Sequence, residues 1–335
     1  MLDTLKIGGV NIKHGERATI NIPVARLYTH TEMTMPVHVI RGKKDGYRLF
    51  VCAAVHGDEI LGVEVIRRLL KLKGLKSLRG TLIAVPVVNV YGFVNQSRYL
   101  PDRRDLNRFF PGTEKGSLTS RLAFAFMKEI VDHCTHGIDI HTASDHRFNL
   151  PHIRAYLNDP ETRSLAKKFG APVILDADLR DGSLRQAVME KGLPMLLYEA
   201  GEALRFDRVS IKLGVKGILA VMRELQMLPK KKRTSSKPIQ PAIAKSSTWV
   251  RAPVSGILHS NIKVGSVVSE GDRLGDVVDP FGKNQEDIRS SASGVIIGLS
   301  NLPLVHKGDA LFHIACFDHS SKIEDTLESF EESFQ

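Results

Sequence analysis

Cysteine is scarce in this chain: Cys52, Cys134 and Cys316 are the only three among 335 residues. They are too few and too scattered for a disulfide framework, and their spacing fits no zinc knuckle, so a reducing, cytoplasmic setting is expected. Long apolar runs are also missing; none approaches the roughly 20 residues that span a bilayer. Residues 1–20 carry Asp3, Lys6, Lys13, Glu16 and Arg17 and lack the apolar core of a signal peptide. No membrane partner is therefore expected. Nor does any basic stretch interleave with aromatics as nucleic-acid-binding motifs do, although the formal net charge is +10.

That charge is unevenly placed. Residues 318–335 hold six acids against one lysine, which leaves +15 on residues 1–317. Lys230, Lys231, Lys232, Arg233 and Lys237 supply five of these, in a stretch rich in Ser, Pro and Thr with no periodicity. Residues 229–247 thus read as an exposed basic linker, with a nuclear-localisation or nucleic-acid patch as the weaker alternative. The remaining excess suits a basic pocket for an acidic small molecule better than a nucleic-acid partner.

Residues 51–59, Val51-Cys52-Ala53-Ala54-Val55-His56-Gly57-Asp58-Glu59, organise the rest. A continuous apolar run predicts a buried parallel strand, and Ile60, Val63, Ile66, Leu69 and Leu70 then predict a helix. His56 and Glu59 fall in the turn between them, where open α/β sheets place their ligands. An imidazole and a carboxylate three residues apart can reach one divalent ion; they can equally be a turn cap and a first-turn acid.

The first 45 residues predict an antiparallel entry ribbon, and strands then alternate with helices to Leu228, which predicts an α/β fold over residues 1–228. The expected strands include 17–27, 35–42, 47–55, 81–88, 137–141, 153–157, 173–175 and 194–198. The expected helices are 61–72, 118–134, 160–169, 183–190 and 208–228. Residues 89–116 form a long loop with Arg98, Arg103, Arg104, Asn107 and Arg108, and such loops are usually functional. Strands also end in His141 and Glu199. Two His and Glu59 leave a fourth zinc position open, as catalytic sites do. Glu199 is placed to take a proton from water there, although an acid at that point in the chain can also be a helix cap.

Past residue 248 the character changes to short strands and frequent Gly. Arg251–Leu258 aligns with Arg289–Ile296, and Val268–Leu274 with Val305–Leu311. Two copies of one unit predict a small all-β barrel-sandwich over 248–317 that resembles the biotinyl/lipoyl-carrier fold. The carrier's modified lysine is flanked by Met; Asp279–Asn284 around Lys283 has none, so a structural or gating domain is expected. A detached domain used for self-association, giving a homo-oligomer, is the competing reading. Residues 318–335 are expected to be a frayed acidic tail.

His56-Gly57-Asp58-Glu59, Asp105-Leu106-Asn107-Arg108, Asp139-Ile140-His141 and Glu199 together resemble, in order and approximate spacing, the succinylglutamate desuccinylase/aspartoacylase family, whose fold is zinc carboxypeptidase-like. The resemblance spans roughly residues 35–230 and implies a mixed, largely parallel sheet with helices on both faces. It implies one Zn2+ held by His56, Glu59 and His141, with Glu199 as general base and then general acid. It implies that Arg98 polarises the carbonyl and that Asn107 and Arg108 bind an amino-acid carboxylate. Pro101-Asp102-Arg103-Arg104 lengthens the interval after Arg98, so Arg103 and Arg104 compete for that role. The implied activity is hydrolysis of the amide of an N-acyl amino acid; a metallocarboxypeptidase acting on short peptides is the alternative.

Overall fold

The computed structural model describes residues 5–144, 146–230, 240–317 and 323–332. A small hairpin, β1 (Leu5–Ile7) with β2 (Val10–Ile12), precedes the long antiparallel pair β3 (Arg17–Arg26) and β4 (Glu32–Arg41). The central strands follow: β5 (Arg48–Ala53), β6 (Thr81–Val85), β7 (His136–Ala143), β8 (Arg147–Ala155), β9 (Val173–Asp176) and β10 (Met195–Glu202). Strands β6, β5, β7 and β10 run mutually parallel, flanked by antiparallel β4 on one side and β8 on the other. The sheet is mixed, with a parallel centre.

Strand β5 shows why its sequence is apolar at every position. Leu49, Val51 and Ala53 face one core, with α1 (Leu61–Leu70) and residues of the later helices. Phe50 and Cys52 face the other, with Leu122 and Phe126 of α3 (Leu118–Glu129). The short α2 (Val90–Val94) lies inside the expected loop. Three further helices carry the sequence's own start signals. Asp159 caps α4 (Pro160–Phe169), Ser183 caps α5 (Leu184–Glu190) and Asp207 caps α6 (Arg208–Glu224), each accepting a backbone N–H three residues on. Helix α6 ends four residues earlier than its pattern suggests.

The C-terminal domain comprises β11 (Ala242–Ala244), β12 (Ser246–Arg251), β13 (Gly256–His259), β14 (Val267–Val268), β15 (Arg273–Val278), β16 (Gln285–Arg289), β17 (Gly294–Ser300), β18 (Leu304–Val305) and β19 (Ala310–Cys316). Strands β13, β15, β16 and β18 form a four-stranded sheet. Val250, Leu274, Val277, Ile296, Phe312 and Ile314 fill the core between it and β12, β17 and β19. The repeat has a local cause. In both copies the Asp of Gly-Asp accepts a backbone N–H three residues back, Asp272 from Ser269 at 2.7 Å and Asp309 from His306 at 2.8 Å.

Two expectations are corrected here. Much of 229–247 lies outside the described residues, but its end is not free linker: β11 pairs in parallel with β9 of the catalytic sheet, and β12 starts at Ser246. The small domain is joined by more than a tether, because β17 pairs with β8 through Gly298–Asn149, Leu299–Phe148 and Ser300–Arg147. Strands of both domains thus share one 13-stranded sheet. The end of the chain also differs. Within 318–335, α7 (Ile323–Glu332) buries Ile323, Leu327 and Phe330. Apolar residues at i, i+4 and i+7 give the acidic segment one packed face, which composition alone conceals.

Candidate metal centre and active site

Ala54 leaves β5 in the left-handed region, at φ +50°, which is uncommon outside glycine and turns the chain out of the sheet. Gly57 then passes so close to α2 that a Cβ there would lie 1.9 Å from the Gly92 carbonyl carbon. This is why the turn reads His-Gly-Asp-Glu: only a residue with no side chain fits between the two chains. The packing aims His56 and Glu59 inward, at 3% and 2% exposure.

His141 projects from β7 beside them, and ligand atoms of His56, Glu59 and His141 lie within 4.8 Å of one another. The details fit a metal ion. Nδ1 of His56 is 2.7 Å from Glu59 Oε1, and Nδ1 of His141 is 2.9 Å from Glu59 Oε2. The opposite ring nitrogens face carboxylates: His56 Nε2 meets Asp105 Oδ1 at 3.0 Å and His141 Nε2 meets Asp139 Oδ2 at 2.8 Å. Metal-ligating histidines are oriented by such outer partners, which fix the tautomer and raise ligand basicity. Cys52 Sγ and the Thr142 N–H complete the frame, donating to Asp139 and to Glu59.

The electrostatics follow from the packing. Burial alone would raise the Glu59 pKa, but His56 and His141 outweigh it and hold the carboxyl well below its ordinary range. Burial lowers the His141 pKa, yet Asp139 and Glu59 overcome this and raise it. Asp58 is pushed up by burial and by Glu59, and its Oδ1 has no hydrogen-bond partner among the described residues.

Arg98 lies at this cluster, its guanidinium 3.3 Å from Glu59 Oε1 and 3.0 Å from Asp105 Oδ2. The two competing arginines lie elsewhere. Arg104 turns to Asp102 and stacks over Phe109, and Arg103 is exposed at a bend with φ +59°. The Asn107 side chain is tied into the fold, its Oδ1 accepting the Leu184 N–H at the start of α5. Arg108 is exposed; partial burial lowers its pKa, as do Arg180 and Arg98, while Asp105 opposes them. Arg185 is buried, donates to the Ala177 and Asp178 carbonyls, and is lowered to about 10 by burial and by Arg154. Arg180 acts on both Arg108 and Arg185, so these arginines gather positive charge on one side of the site.

Glu199 differs from its expected placing after a strand. It lies within β10, in register with His141 of β7 and His152 of β8, immediately before a bulge. Its side chain is 13% exposed. Burial raises its pKa against the opposing pull of His141 and Arg154. Oε2 accepts from Asn149 Nδ2 at 3.1 Å, and Arg154 stands 3.9 Å from Oε1.

Asp105 and Asp139 were legible only as letters of motifs, and Asn149 and Arg154 not at all. A carboxylate two residues before a candidate ligand on one strand is a signal that could have singled out Asp139; nothing in the sequence pairs Asn149 with Glu199.

Residues 45–225 match the family profile described as the succinylglutamate desuccinylase/aspartoacylase catalytic domain. The N-alpha-acetyl-L-2,4-diaminobutyric acid deacetylase of Halomonas elongata is 25% identical over 292 residues, covering 84% of this chain and 85% of that protein. The product-bound ectoine utilization protein EutE (DoeB) of Ruegeria pomeroyi superposes with a TM-score of 0.82 at 23% identity, over 92% of this chain and 97% of that one. A succinylglutamate desuccinylase/aspartoacylase from Rhodobacter sphaeroides gives 0.81 at 22%, over 91% and 97%. These superpositions share the fold across both domains, and the profile covers more than half of the chain. The protein therefore belongs to the succinylglutamate desuccinylase/aspartoacylase family.

Proposed function

We propose that the protein is a zinc-dependent deacylase that hydrolyses the amide bond of an N-acyl amino acid or a small relative. The observation that carries this is the convergence of His56, Glu59 and His141 beside Glu199. The kinship with a named deacetylase supports it over the metallocarboxypeptidase alternative. Two imidazole nitrogens and one carboxylate suit zinc and leave a position open. Bound there, zinc would supply a Lewis acid that acidifies water and polarises a carbonyl.

The chain's own residues do the remainder. Glu199 takes a proton from the attacking water at a carboxylate oxygen and returns it to the leaving amine nitrogen; burial, by raising its pKa, brings it closer to working pH. Arg98 donates to the oxygen on which charge develops. Arg108, with Asn107, grips the substrate carboxylate, and the cationic surroundings favour an anionic substrate. A reducing cytoplasm suits the three unbridged cysteines.

The test is metal analysis of the purified protein, followed by amine-release assays on N-acyl amino acids and dipeptides. The expected result is close to one zinc per chain and N-acyl amino acids turned over at least about 100-fold faster than dipeptides, within the range that placement of one substrate can supply. Faster dipeptide cleavage would favour the carboxypeptidase, and no turnover of either would end the reading.

A further inference from the structure

The C-terminal domain meets the catalytic domain at a point that matters for Glu199. Strand β8 has β10 on one edge; its other edge is divided. At the end containing His152–Ala155 it pairs with β9, and at the end containing Arg147–Asn149 it pairs with β17 of the small domain. Asn149 therefore lies between the Glu199 strand and the small domain. Its amide donates to Glu199 Oε2 at 3.1 Å, and that fixes which way the amide faces, because a carboxylate can only accept.

On the other side, Gly298 of β17 is paired with Asn149, and a Cβ on Gly298 would lie 2.8 Å from Asn149 Oδ1. The absence of a side chain there leaves room for the amide. A second contact acts on the same stretch. Asn301, just past β17, donates through Nδ2 to Glu202 Oε2 at 2.8 Å, and its backbone N–H donates to the His146 carbonyl at 2.7 Å. Glu202 follows the bulge that opens after Glu199. A bulge relaxes the ladder that would otherwise fix a strand residue, so the side chain depends on its remaining partners.

We propose that Asn149 is a positioning residue for the Glu199 carboxylate, and that the C-terminal domain, through Gly298 and Asn301, sets the place of Asn149 and of the Glu199–Glu202 stretch. The small domain acts as a brace for the proposed base. The inference rests on Glu199 being the base, as proposed above. It accounts for a feature that a merely tethered domain would not need, a shared sheet whose contact with β8 includes Asn149, which donates to Glu199.

The experiment is a double-mutant cycle in the full-length, zinc-loaded enzyme, with kcat, KM, bound zinc and Tm measured for each protein. Asn149→Ala should lower kcat about tenfold with KM changed less than twofold and zinc retained, the pattern of an interaction made in the transition state. Gly298→Ala should lower kcat about threefold alone and add nothing to Asn149→Ala. Asn301→Ala should lower kcat by a smaller factor. In Glu199→Gln none of the three should change the residual rate, because groups acting through one residue lose their effects together. If Gly298→Ala fails to fold, the Asn149 and Asn301 variants decide. Unchanged kcat in both of these, or full additivity with Glu199→Gln, overturns the brace while leaving the deacylase reading intact. A wild-type enzyme without turnover overturns that reading and the brace with it.

Discussion

Two parts of the candidate active site are held in contrasting ways. The candidate metal cluster is enclosed: His56, Glu59 and His141 are each at most 3% exposed, and Asp105, Asp139, Arg98 and the Thr142 N–H all point at them from within the catalytic domain. Glu199 lies at a bulge, is partly open, and among the described residues its carboxylate is met by the Asn149 amide and, at 3.9 Å, by Arg154. A group that must hold an ion gains from rigidity; one that must give and take a proton has to reach more than one atom. The comparison teaches that the two halves should fail separately, the first by losing metal and the second by losing rate.

The largest effect should come from cutting the cluster itself. His141→Ala removes a ligand and leaves Asp139 and Glu59 buried without their partner, so bound zinc and turnover should both drop below detection in a metal assay and a rate assay. Asp139→Asn keeps the shape but weakens the orienting of His141. Zinc affinity should fall about 10- to 100-fold in a chelator competition, and activity should return when zinc is added in excess. Equal zinc affinity in wild type and this variant would remove Asp139 from the frame.

Smaller again is the effect at the rim. Arg108→Ala should raise KM about tenfold for substrates bearing a carboxylate, with zinc unchanged and kcat changed less, since it removes binding common to ground and transition states. A loss confined to kcat would place Arg108 in the chemistry instead.

The last effect is on stability at the domain junction, read as Tm under acid and not as rate, because acid also protonates the proposed base Glu199. His152 and His313 are buried and each held down to about 3, by burial first; Arg154 adds to both and His152 to His313, while the Leu150 carbonyl opposes it at His152. A histidine near 6.5 when unfolded and near 3 when folded binds protons preferentially in the unfolded chain between those values. Its stabilising contribution is complete above pH 6.5 and is lost as pH falls through that window. Tm should decline across it, and His313→Gln should decline less steeply. His313 stacks on Trp249, with ring centroids 4.4 Å apart, and Arg147 of β8 lies over the same indole, so the weakened contacts lie where the two domains meet.

Much of this architecture is visible in the sequence because it is local. Continuous apolarity marks β5, Asp159 and Gly170 bracket α4, and the motifs contain the three residues that the fold brings together, His56, Glu59 and His141. The hidden parts are long-range. Nothing along the chain says that β8 extends back to Arg147, since Arg147, Asn149 and His152 break its apolar pattern; Asn149 bonds to Glu199 and Arg147 lies over Trp249. The Asn149–Glu199 contact joins residues 50 positions apart, and the Asn301–Glu202 contact joins residues 99 apart. Composition likewise marked 318–335 as acidic but not that Ile323, Leu327 and Phe330 share a buried face.

The most direct test of the division between a metal-holding cluster and a separate base is Glu199→Gln, assayed for bound zinc and for turnover of an N-acyl amino acid in the same preparation. The amide keeps the size of the side chain and removes its proton chemistry. Zinc should remain near one per chain while kcat falls by about two orders of magnitude or more. Loss of zinc together with rate, or a rate near that of the wild type, would contradict the account.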